Sequence, residues 1–283
     1  MFRSDVLSIE RQDHVATLWL DRAEARNAMG PAFWDDLPVA MAELSADPAV
    51  RAVVVAARGP HFSVGLDLKA MAGLLSAGAA PQGAAGGAGA ATSAAARAAA
   101  ARGAIVRMQR SVTAVADCPK PVVAAVHGYC IGGGVDLVSA CDIRVASADA
   151  VFSVRETKVA IVADLGSLQR LPAIIGQGHL AELAYTGKDI GAARAREIGL
   201  VNDVLADADA ALAAAGALAA QIAANSPLAV QGTKAVLRAG EGKTVAEGLD
   251  YVATWNAGFL ASDDLTEAMT AFVEKRAPTF TGR

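Results

Sequence analysis

The sequence has no long apolar run and little net charge. No uninterrupted apolar stretch approaches the roughly 20 residues that cross a bilayer, although 54% of the 283 residues are hydrophobic, many of them alanine. The net charge is −4 with dispersed basic residues, which argues against nucleic acid as the main partner. We therefore expect a soluble protein that binds neither a membrane nor nucleic acid.

The termini and the cysteines carry no targeting or metal-binding signal. Residues 1–5 are not a basic segment followed by an apolar one, and residues 281–283 are not the peroxisomal Ser-Lys-Leu address. A cytoplasmic location is therefore expected. The cysteines Cys118, Cys130 and Cys141 lack metal-ligand spacing, so we predict reduced, mostly buried thiols and no metal site.

Common phosphate-binding and nucleophile patterns are incomplete. Residues 240–244 resemble the end of a phosphate-binding loop, but Leu237 stands where its first glycine is needed, so an interhelical turn is predicted. Leu137 replaces the third glycine of a dinucleotide fingerprint. Ser63 lacks the glycine two residues earlier that a nucleophile elbow requires, and none of the four histidines is paired locally with a nucleophile. These gaps argue against a Ser-His-Asp hydrolase.

A glycine-rich turn is the most informative feature that is present. Residues 122–126 are apolar and rich in β-branched side chains, which predicts a buried strand. Three glycines follow at 132–134, before an apolar helical pattern over 135–141. Because N–H groups at a helix N-terminus lack partners and lie at the positive end of the dipole, they favour a developing negative charge. The turn therefore predicts half of an oxyanion site, and residues 61–68, again a glycine-bearing strand end, predict further main-chain donors.

The remaining pattern predicts an α/β core followed by helices. Residues 6–10 and 14–20 predict a hairpin, Pro31 a helix start, and residues 51–57 a covered strand. From residue 207 onward the apolar spacing is helical almost without a break. We therefore expect a helical appendage on an α/β core.

An alanine- and glycine-rich segment interrupts that core at residues 73–104. Because it offers almost no functional groups, it predicts a flexible surface insertion leading into an alanine-rich helix. A mobile cover over a ligand pocket is the alternative. With this insertion included, the core extends over residues 1–205 and the helical region over residues 206–283.

Three acidic residues lie in apolar surroundings. They are Asp136, just after the glycine run, Glu156, and Asp164, which interrupts a run of alanine, valine and isoleucine. Any one of them alone would be interpreted as a solvated or capping residue. Together they predict partly desolvated carboxylates, whose raised pKa suits proton transfer near neutral pH.

The motifs at residues 62–68, 121–128 and 132–134 resemble those of the crotonase, or enoyl-CoA hydratase/isomerase, superfamily, and residues 226–229 and 272–276 resemble its C-terminal helices. The resemblance implies an α/β fold, a crotonase-like spiral of β-β-α units with a C-terminal helical trimerisation region. It also implies homotrimers, often paired into hexamers, and a coenzyme A thioester as substrate with no cofactor.

The resemblance also assigns the binding positions. The backbone N–H groups of Leu66 and Gly133 match the two donors that hold the thioester oxygen in this family. The positions that match its substrate and coenzyme A site are Arg26, Leu66, Asp67, Leu68, Lys69, Gly133 and Gly134.

The acids distinguish reactions within the family. Hydratases carry glutamates at the two positions matched by Asp136 and Glu156 and hold one water between them. This chain has the shorter aspartate at 136 and, at Asp164, an acid where hydratases usually have glycine. Residues 130–144 and 163–172 resemble instead the dienoyl-CoA isomerase branch, in which all three acid positions are functional. The implied reaction converts 3,5-dienoyl-CoA to 2,4-dienoyl-CoA in fatty-acid β-oxidation.

The chemistry of that reaction requires two separated acids. A 3,5-dienoyl thioester loses a proton at C2 and regains one at C6, four carbon–carbon bonds away, so one carboxylate cannot readily serve both carbons. We assign Glu156 and Asp164 as the pair and Asp136 as a supporting acid. Which of the pair takes the C2 proton stays open. An enoyl-CoA hydratase and a non-catalytic CoA-ester-binding protein are the alternatives.

Overall fold

The computed structural model describes residues 2–72 and 93–283. Most of the predicted insertion, residues 73–92, lies outside the described residues, whereas its last part belongs to a helix. The strands, in chain order, are β1 Leu7–Gln12, β2 Val15–Leu20, β3 Ala52–Ala57, β4 Val122–Val126, β5 Tyr129–Ile131, β6 Ile143–Ser147, β7 Val151–Ser153, β8 Ile190–Gly191 and β9 Asp203–Leu205. The α-helices are α1 Pro31–Ala46, α2 Ala94–Asp117, α3 Gly133–Ser139, α4 Ser167–Ile175, α5 Gln177–Thr186, α6 Ala192–Glu197, α7 Ala208–Ala223, α8 Pro227–Ala239, α9 Val245–Phe259 and α10 Asp263–Glu274.

Two sheets form the scaffold. The larger has the order β1-β2-β3-β4-β6-β9 and is parallel except for the β1–β2 hairpin, and the smaller has the order β5-β7-β8. β4 and β6 are each closely followed by a strand of the smaller sheet and then by a helix. The chain thus repeats a β-β-α unit that advances through both sheets, which is the spiral predicted from the sequence.

The burial of the central strands follows from their composition. Every residue of β3 and β4 is buried, because helices cover both faces of the larger sheet. α7 packs its alanines Ala215, Ala219 and Ala223 against one face, while α1 buries Phe33, Trp34, Leu37, Ala40, Met41 and Leu44 in the main core. The three cysteines are free and buried, as predicted.

The last three helices leave much apolar surface uncovered. α9 has no buried residue, and it lines a cavity of about 1100 Å³ with α8 and α10. The large, exposed apolar side chains of this region are Leu237, Val245, Leu249, Phe259, Leu260, Leu265, Met269, Phe272 and Val273. The turn at residues 240–244 connects α8 to α9, as predicted, and Thr244 caps α9 by accepting from the Glu247 N–H.

None of the described helices is by itself long and apolar enough to cross a membrane. Only α7 and α8 taken together pass that test, and the two are bent by 107° at their junction.

Candidate active site

Two loops meet at the predicted oxyanion site. The loop after β3 pairs Ser63 with Cys130 of β5, and the same loop pairs Leu66 with Met29. The Ile131 N–H donates to the Ser63 carbonyl at 3.0 Å, and the Met29 N–H donates to the Gly65 carbonyl at 2.8 Å. The first bond joins the loop to β5, which leads into the glycine turn, and the second joins the loop to the segment before α1. β5, which the sequence pattern did not predict, is therefore the strand that brings the glycine turn to this loop.

Gly65 makes the closest approach between the loops. Its φ is +84°, and a Cβ at this position would lie 2.7 Å from the Ile131 carbonyl oxygen and 3.2 Å from the Gly133 nitrogen. Only glycine tolerates both this positive φ and these short distances to backbone atoms. Within residues 2–72 and 93–283, the N–H groups of Leu66 and Gly133 have no acceptor. The structure thus brings the two predicted donors to one junction and leaves both free for a ligand oxygen.

Asp136 lies in the first turn of α3 and is 1% exposed. The Ser167 N–H donates to its Oδ1 at 2.6 Å. Burial raises the pKa of Asp136 to about 6, partly offset by this hydrogen bond, and the negative charge of Asp164 raises the pKa further. The Ser167 hydroxyl also lies near the carboxylate and lowers that pKa, although its oxygen has no hydrogen bond of ordinary geometry.

Glu156 begins the 3-10 turn Glu156–Val159 after β7. Its carboxyl group lies against the glycine turn, because a Cβ on Gly132 would lie 3.3 Å from Glu156 Oε1. Burial and the charges of Asp136 and Asp164 raise the pKa of Glu156 to about 7. Its Oε2 is buried without a hydrogen-bond partner among the described residues. A buried, unpartnered carboxylate oxygen is costly, and this one is free to interact with a ligand.

Asp164 lies in the loop before α4 and is partly buried, which raises the pKa of its carboxyl group. Its charge in turn raises the pKa of both Asp136 and Glu156. The three acids, separated by up to 28 positions in the sequence, therefore form one electrostatically coupled group. They are not the independent solvated residues of the alternative interpretation.

The other predicted binding residues lie on the loops beside the oxyanion junction. Arg26 has a left-handed φ of +54°, and its carbonyl accepts from the Val64 N–H at 3.2 Å. Leu68 and Lys69 are exposed. The Asp67 carboxylate accepts from Arg22 at 2.8 Å and from the Ala70 N–H at 3.0 Å, so it stabilises its own loop.

Three residues that contact this site were not predicted. Ser167 could have been suspected, because it follows a glycine and begins a helix, where an N–H is free. Gln109 donates from Nε2 to the Asp164 carbonyl at 2.7 Å, but nothing in its alanine-rich sequence surroundings indicates such a role. The Trp34 indole N–H is buried and unpartnered among the described residues, and its ring lies near Gly133.

Across the described part of the chain, no cluster of His, Cys, Asp and Glu could hold a metal ion.

The sequence matches one family of known enzymes. The family model for enoyl-CoA hydratase/isomerase matches residues 10–86 and 83–283. The chain is 40% identical to the peroxisomal Delta(3,5)-Delta(2,4)-dienoyl-CoA isomerase of Arabidopsis thaliana over 276 residues, covering 98% of this chain and 96% of the relative. It is 45% identical to the mitochondrial enzyme of the same name from Mus musculus over 266 residues, covering 94% of this chain and 78% of the relative.

Solved structures show the same fold. The enoyl-CoA hydratase of Bacillus anthracis superposes with a TM-score of 0.86 at 30% identity, covering 99% of this chain and all of that one. The enoyl-CoA hydratase of Mycobacterium tuberculosis H37Rv superposes with a TM-score of 0.81 at 32% identity, covering 98% of this chain and 99% of that one. The predicted fold and the resemblance to the dienoyl-CoA isomerase branch are both confirmed. The chain belongs to the enoyl-CoA hydratase/isomerase family and is an enzyme of the dienoyl-CoA isomerase type.

Proposed function

We propose that this enzyme converts 3,5-dienoyl-CoA to 2,4-dienoyl-CoA in fatty-acid β-oxidation. The observation that carries the proposal is the position of Asp164, a third, partly buried carboxylate in the loop that ends at Ser167, the residue whose N–H donates to Asp136. A hydratase needs only two acids around one water, whereas proton transfer at two distant carbons needs acids set apart along the acyl chain.

The proposed mechanism proceeds through an enolate. One carboxylate of the pair Glu156 and Asp164 removes the C2 proton, and the electron pair delocalises onto the thioester oxygen. The free N–H groups of Leu66 and Gly133 stabilise that charge as it develops. The other carboxylic acid of the pair delivers a proton to C6, which moves both double bonds and returns the enzyme with its proton shifted from one acid to the other. Asp136, held by the Ser167 N–H, keeps the pKa of Glu156 near neutrality.

The binding loops fit a coenzyme A thioester. Gly134 extends the glycine turn beside the donor Gly133, and Arg26 and Lys69 supply positive charge beside Leu66. No cofactor enters the mechanism.

The exposed apolar side chains of α8 to α10 support assembly into a homotrimer or a dimer of trimers, and we propose the cytoplasm as its location.

Hydration of a 2-enoyl-CoA is the second candidate, because Asp136 and Glu156 occupy the two positions at which hydratases carry the acids that hold one water, with aspartate in place of the first glutamate. A non-catalytic CoA-ester-binding protein is disfavoured. In such a protein the buried, unpartnered oxygen of Glu156 would have no catalytic role, and nothing would compensate the free-energy cost of its desolvation.

A side-by-side assay tests the proposal. The purified protein should isomerise a 3,5-dienoyl-CoA, with the conjugated 2,4-diene followed by its ultraviolet absorbance, much faster than it hydrates a 2-enoyl-CoA. Faster hydration than isomerisation would favour the second candidate, and binding without turnover of either substrate would favour the third.

A further inference from the structure

The Asp164 loop has few main-chain bonds of its own. Between the left-handed residues Ala160 and Gly166, Ile161 is the one residue whose N–H donates to a main-chain carbonyl of the described chain, that of Glu156. The position of the Asp164 main chain therefore depends on contacts from outside the loop.

Helix α2 supplies those contacts from one face. Gln109 Nε2 donates to the Asp164 carbonyl at 2.7 Å. One turn later, Thr113 Oγ1 accepts from Arg170 at 3.0 Å, and the same guanidinium donates to the Leu165 carbonyl at 3.3 Å. Because Gln109 and Thr113 are four residues apart, both project from the same side of the helix. The first bond joins the Asp164 peptide group directly to α2, and the other two join the neighbouring Leu165 peptide group to α2 through Arg170 of α4.

α2 is a rigid support for these bonds. Its residues Met108, Val112 and Val115 are buried in the main core, and the Ser111 hydroxyl donates to the Trp34 carbonyl of α1. The helix is thus fixed against α1, whose Trp34 lies near Gly133. A side chain on such a support can set the position of Asp164 relative to the oxyanion donors.

We infer that Gln109 is a positioning residue that holds Asp164 where it exchanges a proton with the dienoyl chain. The inference rests on the proposed function. Gln109 does not touch substrate in this account, since its amide is engaged with the peptide group of Asp164. A displacement of about 1 Å from such an anchor can cost up to about 100-fold in rate.

The primary test compares Gln109→Met, which keeps the length but removes the donor, with Gln169→Met, an exposed glutamine on α4. Isomerisation of 3,5-dienoyl-CoA should lose about 10-fold or more in kcat in the first variant with KM within about twofold. The control should retain the wild-type kcat. A wild-type kcat in Gln109→Met would overturn the inference.

A second variant distinguishes the loss of the hydrogen-bond donor from a general disturbance of the fold. Gln109→Glu keeps the size but, when ionised, offers no donor to the Asp164 carbonyl, so the ratio of its kcat to the wild-type kcat at the same pH should rise as the new carboxyl protonates at lower pH. A defect that does not respond to pH would contradict the positioning role.

A double-mutant cycle separates this inference from the proposed function. If Gln109 acts through Asp164, Gln109→Met should cost less than about twofold when added to Asp164→Asn. Additive losses would overturn the inference while leaving the isomerase proposal intact. No isomerisation by the wild-type enzyme would instead defeat the proposed function itself.

Discussion

Gly65 and Gly133 are in contact across the two loops that form the oxyanion junction: a Cβ on Gly65 would lie 3.2 Å from the Gly133 nitrogen. The contact places Leu66, the next residue, beside that nitrogen. Because the neighbouring atoms are backbone atoms, neither loop can move away without breaking the main-chain bonds that join them.

Gly65→Ala should therefore destabilise the protein. The new Cβ meets the Ile131 carbonyl at 2.7 Å and forces an L-residue into a φ of +84°, so the free energy of unfolding should fall by more than about 1 kcal/mol. Gly178→Ala on α5 is the matched control, since nothing lies within 4 Å of its Cβ, and alanine should leave the helix unchanged or more stable. Equal denaturant midpoints for the two variants would contradict this account.

Removing the Gly133 donor should slow catalysis. Gly133→Pro deletes one N–H, and the loss of one oxyanion donor typically costs about 10² to 10³ in kcat. Gly133→Ala keeps the N–H, and the one atom closer than 3.4 Å to its Cβ is the Met29 sulfur, at 3.0 Å, so its loss should be under about 10-fold. Steady-state kinetics of the two variants check the donor role. Similar losses in both would show that space at this position, rather than the donor, matters.

Glu156 should make stability depend on pH. Its pKa is raised from 4.5 to about 7, so between these values the folded state binds a proton that the unfolded state releases. Glu156 should accordingly add at most about 3 kcal/mol to the free energy of unfolding as pH falls from 8 to 5. Denaturant titrations should show that Glu156→Gln loses the rise between pH 8 and pH 6, whereas Asp136, whose pKa is about 6, still produces a rise below pH 6. Glu24→Gln, whose side chain is 78% exposed, should retain the wild-type slope, and a wild-type slope above pH 6 in Glu156→Gln would refute the assignment.

Asp164→Asn should distinguish isomerase from hydratase. The change removes the titrating group and keeps its size, so kcat for 3,5-dienoyl-CoA should fall by at least about 10², while KM moves little because the thioester is held elsewhere. Any hydration of a 2-enoyl-CoA should change little, since water would lie between Asp136 and Glu156. A variant that isomerises 3,5-dienoyl-CoA at the wild-type rate would remove Asp164 from the mechanism.

The exposed apolar face of the C-terminal helices should bury against other subunits. Sedimentation at micromolar concentration should show a trimer or a hexamer. Phe272→Asp on α10, at a residue 81% exposed in the subunit, should shift the protein towards smaller species. Tyr185→Asp on α5, at a residue 80% exposed but outside that region, is the control. A wild-type monomer at this concentration would rule out the assembly.

The sequence by itself determined the elements whose signals are local. The alternation and β-branching of residues 14–20 and 51–57 predict strands because a pleated strand covered by helices selects such side chains. Pro31 marks a helix start because its fixed φ acts within the first turn of the helix. Asp136 and Asp164 could be singled out for the same reason, since each has apolar neighbours on both sides, whereas Glu156 stands between Arg155 and Thr157 and was supported by the family resemblance.

The tertiary structure decided what depends on contacts between distant segments. No local pattern shows that β5 carries the glycine turn to Gly65, because strand pairing reflects main-chain bonds and not side-chain type. The pKa of Glu156 depends on Asp136 and Asp164, 20 and 8 positions away, and only the fold sets those interactions. Gln109 contacts the Asp164 loop from 55 residues away, and an amide on an alanine-rich helix has the same local sequence signal whether it faces water or a peptide carbonyl.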